Sequence, residues 1–298
     1  MTKKKNSDKI NKHFDYIGRE KMNIINFLYE VKTGWTVDVR PGNYGWYHIM
    51  WLVIMVVCTF LLCYFLGRKH DKKIDDKVVF TIGAMLFVIE LYKQIFYWLE
   101  AGWYRWYAFP FQFCSIPMYV AIIAPWLKEG KVKDAMYKFL GFFGFLAGFA
   151  VMMYPDTCFG TSYVTILIHT MLWHSSMVVM GFYVLYAKEY GKNIVKEVIP
   201  GTIIYTALVV FAVLVNIIGY KLYFGTPKNI HGESLFFLYL SPYYGCPFPI
   251  LGTLKEQVPY PVFLLLYVVA FALGISIVWC AVFGIRKLGE KLSNKKTN

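Results

Sequence analysis

Charge is thin in this chain of 298 residues: Asp, Glu, Lys and Arg together supply 16%, against 58% from hydrophobic side chains. That balance leaves no room for a water-soluble domain of useful size. No CxxC occurs among the six cysteines and no aspartate lies within a long apolar run, so neither a metal nor a cofactor is expected. The signatures G-x-S-x-G, H-E-x-x-H, Walker A and the Rossmann glycine fingerprint are missing as well, which removes the common soluble hydrolases, metalloproteases and nucleotide enzymes. With no apolar h-region before residue 45, a cleaved signal peptide is not expected and the first apolar run directs insertion. No internal repeat is evident, so the inverted-repeat signature of many transporters is absent.

Apolar runs fill most of the remaining chain, at residues 45–67, 78–99, 107–127, 135–154, 162–187, 200–219 and 262–285. Each is near or above the ~20 residues that cross ~30 Å of hydrocarbon. The expected fold is all-α, a polytopic bundle of seven transmembrane helices over residues 45–285. A basic tail with a short amphipathic segment at 22–31 precedes it (1–44), and a basic tail (286–298) follows. The connections are short, which makes consecutive helices antiparallel neighbours. The exception is 220–258, whose four prolines and short apolar run suit a loop that re-enters the bundle or caps its mouth. Gly141, Gly144, Ala147 and Gly148 put small residues on one face of the fourth run, a packing surface for a neighbouring helix or a second copy.

Lys and Arg are uneven along the chain. The loops after the second, fourth and sixth runs hold only Arg105, Lys221, Lys228 and Lys255, and the other loops and the C-terminal tail are markedly richer. The positive-inside rule then puts the C terminus in the cytoplasm and the N terminus outside a cell membrane, against the pull of a basic N-terminal tail. The net charge of +13 suits anionic lipid headgroups at the basic loops rather than nucleic acid. Cys158 and Cys246 fall in two loops on the expected outer side, where a disulfide or two separate thiols are both open.

Polar side chains inside the runs are few: Glu90, Lys93 and Gln94 in the second, Gln112 and Cys114 in the third, His169 and His174 in the fifth, Asn216 in the sixth. In hydrocarbon each is a functional candidate. At ~1.5 Å per residue, Cys114 and His169 lie ~10 Å from the outer ends of their runs, Glu90 ~14 Å and His174 ~18 Å. The two histidines are five apart and turned ~140° from each other, so at most one meets Cys114. A thiol with a histidine base and an orienting carboxylate is a nucleophile. A self-neutralising Glu90–Lys93 pair, a filler cysteine and interhelical histidine hydrogen bonds are the plainer reading. Proton-coupled small-solute transport or membrane sensing through Glu90, Lys93 and His174 is the alternative function.

The stretch ELYKQIFYWLEAGWYRWYAFPFQFCSIPMY, residues 90–119, resembles the core of the YwaF-type family of bacterial integral membrane proteins, related to transmembrane protein 164. Pro110, Gln112, Cys114 and Ser115 carry the likeness. WHSSMVVMGFYVLY (173–186) resembles the family's intramembrane-histidine segment, and SLFFLYLSPYYGCPFPIL (234–251) its Ser-Pro-Tyr element. The resemblance implies a membrane acyltransferase or lipid hydrolase, with phospholipid and lysophospholipid as its lipid partners. In it Cys114 is the nucleophile, His174 the base and then the acid, and Gln112 an oxyanion donor, with Glu90, His169 and Lys93 in support.

Overall fold

The structure is a computed structural model that describes residues 40–297; the amphipathic segment expected at 22–31 lies outside them. Nine α-helices appear among the described residues: α1 Trp46–Phe65, α2 Lys72–Ala101, α3 Ile116–Ile123, α4 Lys131–Lys138, α5 Phe145–Met153, α6 Val164–Ala187, α7 Ile194–Gly219, α8 Pro249–Gln257 and α9 Tyr260–Thr297. A π-helical turn, Phe139–Gly144, fuses α4 and α5 into one rod. Helix ends follow local chemistry. Asp71 caps α2 by accepting from the backbone N–H groups of Lys73 (2.8 Å) and Ile74 (3.3 Å), and Asn193 caps α7 through Lys196 N (3.1 Å). Gly102 ends α2 at φ 80°, a conformation that costs a residue without Cβ nothing.

Six helices are long and apolar enough to cross a bilayer: Trp46–Lys69, Lys72–Ala101, Lys131–Met153, Val164–Ala187, Ile194–Phe224 and Tyr260–Leu292. Large apolar side chains such as Phe60, Ile203 and Ile277 stay exposed on their outer faces, an apolar belt that suits lipid rather than water. α6 lies at the centre, with 67% of its apolar window buried and contacts to α1, α2, α5 and the π turn.

The run expected as a third long helix, 107–127, departs from that expectation. It begins with a 3₁₀ turn, Trp106–Ala108, and then an open stretch; only Ile116–Trp126 is helical. Pro110 and Pro117 supply the reason. Phe109, ahead of Pro110, is extended at ψ 131°, as the proline ring demands of its predecessor, whereas Pro117 tolerates only the first turn of a helix and sits there in α3. The segment still travels beside α2. Gln94 Nε2 donates to Ala108 O (2.7 Å), Gly83 abuts Ala121, and Phe80 meets Trp126 edge-on, ring centroids 5.3 Å apart.

Open backbone in an apolar interior must be hydrogen-bonded by protein. Here the 220–258 loop supplies much of that bonding. Its turn Phe237–Tyr239 is inserted among α7, α9 and the open stretch, with Leu238, Leu240 and Ser241 fully buried. Leu238 N donates to Phe111 O (3.1 Å), Tyr267 Oη donates to Leu238 O (2.7 Å), and Asn216 exchanges two hydrogen bonds with the Phe237 backbone. Those contacts hold Leu238 and Tyr239 in the left-handed region, at φ 52° and 57°, where residues with a Cβ are strained.

The basic loops gather at one end. Lys188 pairs with buried Asp75 (2.9 Å), Lys133 with Asp76 (2.7 Å) and Arg286 with Glu189 (3.8 Å). Asp75 also accepts from Tyr183 Oη (2.8 Å). At the opposite end Tyr44 Oη donates to Met153 O (2.7 Å) and Trp103 Nε1 to Glu233 (2.9 Å). The small residues of the fourth run pack internally: a Cβ on Gly148 would lie 2.7 Å from His174 O and one on Gly141 3.0 Å from Leu185. Cys158 and Cys246 are not joined by a disulfide.

Candidate functional site

Every polar group singled out inside the runs except Asn216 lies toward one end of α2, on α6, or on the open stretch between them. α2 supplies Glu90, Lys93 and Gln94 at helical spacings that share a face. Glu90, 3% exposed, takes its Oε1 contacts from Lys93 Nζ (2.7 Å) and Gln94 Nε2 (2.6 Å). Tyr104 Oη holds the other end of Gln94 by donating to its Oε1 (2.9 Å). The carboxylate is thus fixed in position as well as neutralised, and its second oxygen points toward α6.

α6 brings His169, Trp173 and His174. His169 Nε2 is 3.9 Å from Glu90 Oε2, and the imidazole stacks on Trp173 with ring centroids 5.5 Å apart. Trp173 Nε1 then donates to Cys114 O (3.1 Å), tying the cysteine backbone to the histidine helix. The Lys93 ammonium sits 5.9 Å over the Trp173 ring and within electrostatic reach of Cys114, His169 and His174. His174 is also buried, and its Nδ1 lies 2.8 Å from Thr170 O. A carbonyl partner requires the proton on Nδ1, which leaves Nε2 with its lone pair.

Cys114 occupies the turn just ahead of α3. It owes that place to the prolines, since a continuous helix would have put it on a helix face. Its thiol is not hydrogen-bonded to either imidazole, and the hydrogen bond that joins Cys114 to α6 runs from Trp173 to its backbone carbonyl. Gln112 lies on the open stretch, where its Nε2 donates to Phe236 O (3.4 Å) and its buried Oε1 has no partner. Trp173 and Tyr104 were not placed in the site from the sequence. The signal for Trp173 was there, because residues 169 and 173 share a helix face. Among the described residues no three His, Cys, Asp or Glu side chains are placed to hold a metal ion.

A lipid-facing helical bundle with a buried constellation of ionisable groups defines a multi-pass membrane protein with an intramembrane polar site. A sequence model of the TMEM164 family matches residues 43–283, a span that includes five of the six long helices completely, most of the sixth, and every residue of the site. The chain belongs to the TMEM164 family. No curated protein and no solved structure matches it.

Proposed function

We propose that this protein is an integral membrane acyltransferase of the YwaF type that moves fatty acyl groups between phospholipids through a thioester on Cys114. The observation that carries the reading is the meeting of Cys114, Lys93 and His169 at Trp173, with Glu90 held between Lys93 and His169 and His174 next along the same helix. Thiol acyl transfer needs a nucleophile, a base and an electrostatic partner for developing charge. All three residue types are present there.

In the first half, the Cys114 sulfur attacks the ester carbonyl of a phospholipid. A C–S bond forms, the ester C–O bond breaks, and the thiol proton passes through His174 Nε2 to the departing lysophospholipid oxygen. The Nδ1 contact to Thr170 O sets the tautomer this role requires. Binding of substrate must bring sulfur and ring together, as catalytic hydrogen bonds often tighten only in the complex. In the second half a hydroxyl takes the acyl group, or water does, in which case the outcome is hydrolysis. Val88, Leu91 and Ile95 on the outer face of α2 are exposed, an apolar surface along which an acyl chain can lie.

The 107–127 segment serves as a seventh crossing, half open and half helical, with the basic end of the bundle in the cytoplasm against anionic headgroups and the N-terminal end outside. The test is transfer of a radiolabelled acyl group from phosphatidylcholine to a lysophospholipid by purified protein in liposomes. Wild-type protein gives labelled diacyl product and Cys114→Ala gives none. Solute-driven flux that needs Glu90 and tolerates Cys114→Ser would replace this reading with proton-coupled transport.

A further inference from the structure

Two buried atoms at the site face each other without hydrogen-bond partners: Glu90 Oε2 and His169 Nε2. Their side chains are 3% and 7% exposed, and the atoms stand 3.9 Å apart, too far for a direct hydrogen bond. Leaving two such groups unpaired carries the desolvation penalty of both. Neither is loose. Glu90 is held by Lys93 and Gln94 and His169 by its stack on Trp173, so the gap is maintained by its surroundings. One oxygen placed ~2.8 Å from both atoms subtends an angle of about 90° across that 3.9 Å separation. A hydroxyl meets the need of both, donating its proton to the carboxylate oxygen and accepting from the imidazole N–H.

We infer that Glu90 and His169 form a subsite for an alcohol, the free hydroxyl of a monoacyl glycerolipid, that accepts the acyl group from Cys114. This rests on the acyl-transfer reading above for its chemistry. In the step, the hydroxyl oxygen attacks the thioester carbonyl and a C–O bond forms as the C–S bond breaks. The electron pair leaves on sulfur, the hydroxyl proton moves to Glu90 Oε2, and from there it returns to the thiolate. Lys93 balances the carboxylate before and after. Trp173 bears on both partners of the exchange, since it holds the Cys114 carbonyl on one side and the His169 ring on the other.

The test is binding of 1-palmitoyl lysophosphatidylcholine and of its 2-deoxy analogue to the full chain in nanodiscs, by isothermal titration. A site built for a hydroxyl discriminates against a ligand lacking one, and the lysolipid should bind at least about tenfold more tightly. His169→Phe keeps a ring against Trp173 and should bring the ratio near one. Should His169→Phe fail to fold, Glu90→Gln, which preserves shape but removes the charged acceptor, should do the same. Equal binding of the two ligands by wild-type protein overturns the subsite and is the result expected if the gap holds water only. A ratio unchanged in both variants overturns it too. The liposome assay reports separately: absent transfer with hydroxyl discrimination intact removes the enzyme reading and leaves the alcohol site standing.

Discussion

Asn216→Leu should unseat the inserted turn that bonds the open stretch ahead of Cys114. The asparagine is fully buried, and its Nδ2 donates to Phe237 O (3.0 Å) while its Oδ1 accepts from Phe237 N (2.8 Å). Leucine fills similar space and leaves both backbone groups unpaired. At ~1–3 kcal/mol for each orphaned group the loss is ~2–6 kcal/mol. Interhelical side-chain hydrogen bonds in membranes average only ~0.6 kcal/mol, because the unfolded chain in lipid finds other partners, and that sets a floor near 1 kcal/mol for two. The Phe237 backbone is flanked by Leu238 at φ 52° and has little freedom to turn toward a new partner, so the value should fall at 2 kcal/mol or above by the orphaned-group figure. Unfolding in mixed micelles, followed by tryptophan fluorescence, reads this directly, with lipid-facing Ile218→Leu as a control expected to change little. Labelling of Cys246 by maleimide reads it locally. Burial pushes that thiol above its ordinary pKa, so wild-type protein labels slowly and Asn216→Leu should label faster. A loss under about 1 kcal/mol with unchanged labelling would refute the anchoring of the turn by Asn216.

Other perturbations separate packing from charge. Gly148→Ala should cost ~1–3 kcal/mol by overpacking, since its Cβ would lie 2.7 Å from His174 O, whereas Gly144→Ala, with Pro117 at 3.5 Å, should be tolerated; thermal shift in detergent distinguishes them. Asp75→Ala strands Lys188 and the Tyr183 hydroxyl and should cost ~3–5 kcal/mol, with part recovered in Asp75→Ala/Lys188→Met, measured by unfolding in mixed micelles. Trp173→Phe retains a ring beside His169 but drops the hydrogen bond to Cys114 O, a change of ~0.5–1.5 kcal/mol that should appear as faster Cys114 alkylation. The hydrogen bond and charge of Lys192, then Arg286, hold Glu189 below the usual carboxylate range. Its contribution is therefore present above ~pH 4.3 and lost as pH falls through the lower folded value. Exposure limits that contribution to ~0–1 kcal/mol, so Glu189→Gln should slightly flatten the acid limb of the melting-temperature profile.

Six of the long helices were legible because each is a run of apolar residues bounded by charge or glycine, and length alone then identifies it. The 107–127 segment has the same apolar content and misled for that reason. Hydropathy does not register that Pro110 and Pro117 stop a helix from forming across Phe111–Ser115, although both prolines were visible and the backbone rule they impose is general. Glu90, Lys93 and Gln94 were legible as one face of α2 by spacing. Their meeting with His169 was not, because it depends on how α2 is rotated against α6, and a sequence states neither rotation nor register between helices. Gln112 was legible as polar and unusual, yet its direction toward Phe236 O is set by a loop more than a hundred residues later.

Intact-mass spectrometry of protein incubated with phosphatidylcholine tests the role of Cys114 most directly. Wild-type protein should gain the mass of one fatty acyl group, lose it to neutral hydroxylamine, and show neither change as Cys114→Ala. An acyl adduct that persists in Cys114→Ala would contradict a thioester at Cys114, as would transfer of label to lysophospholipid by that variant.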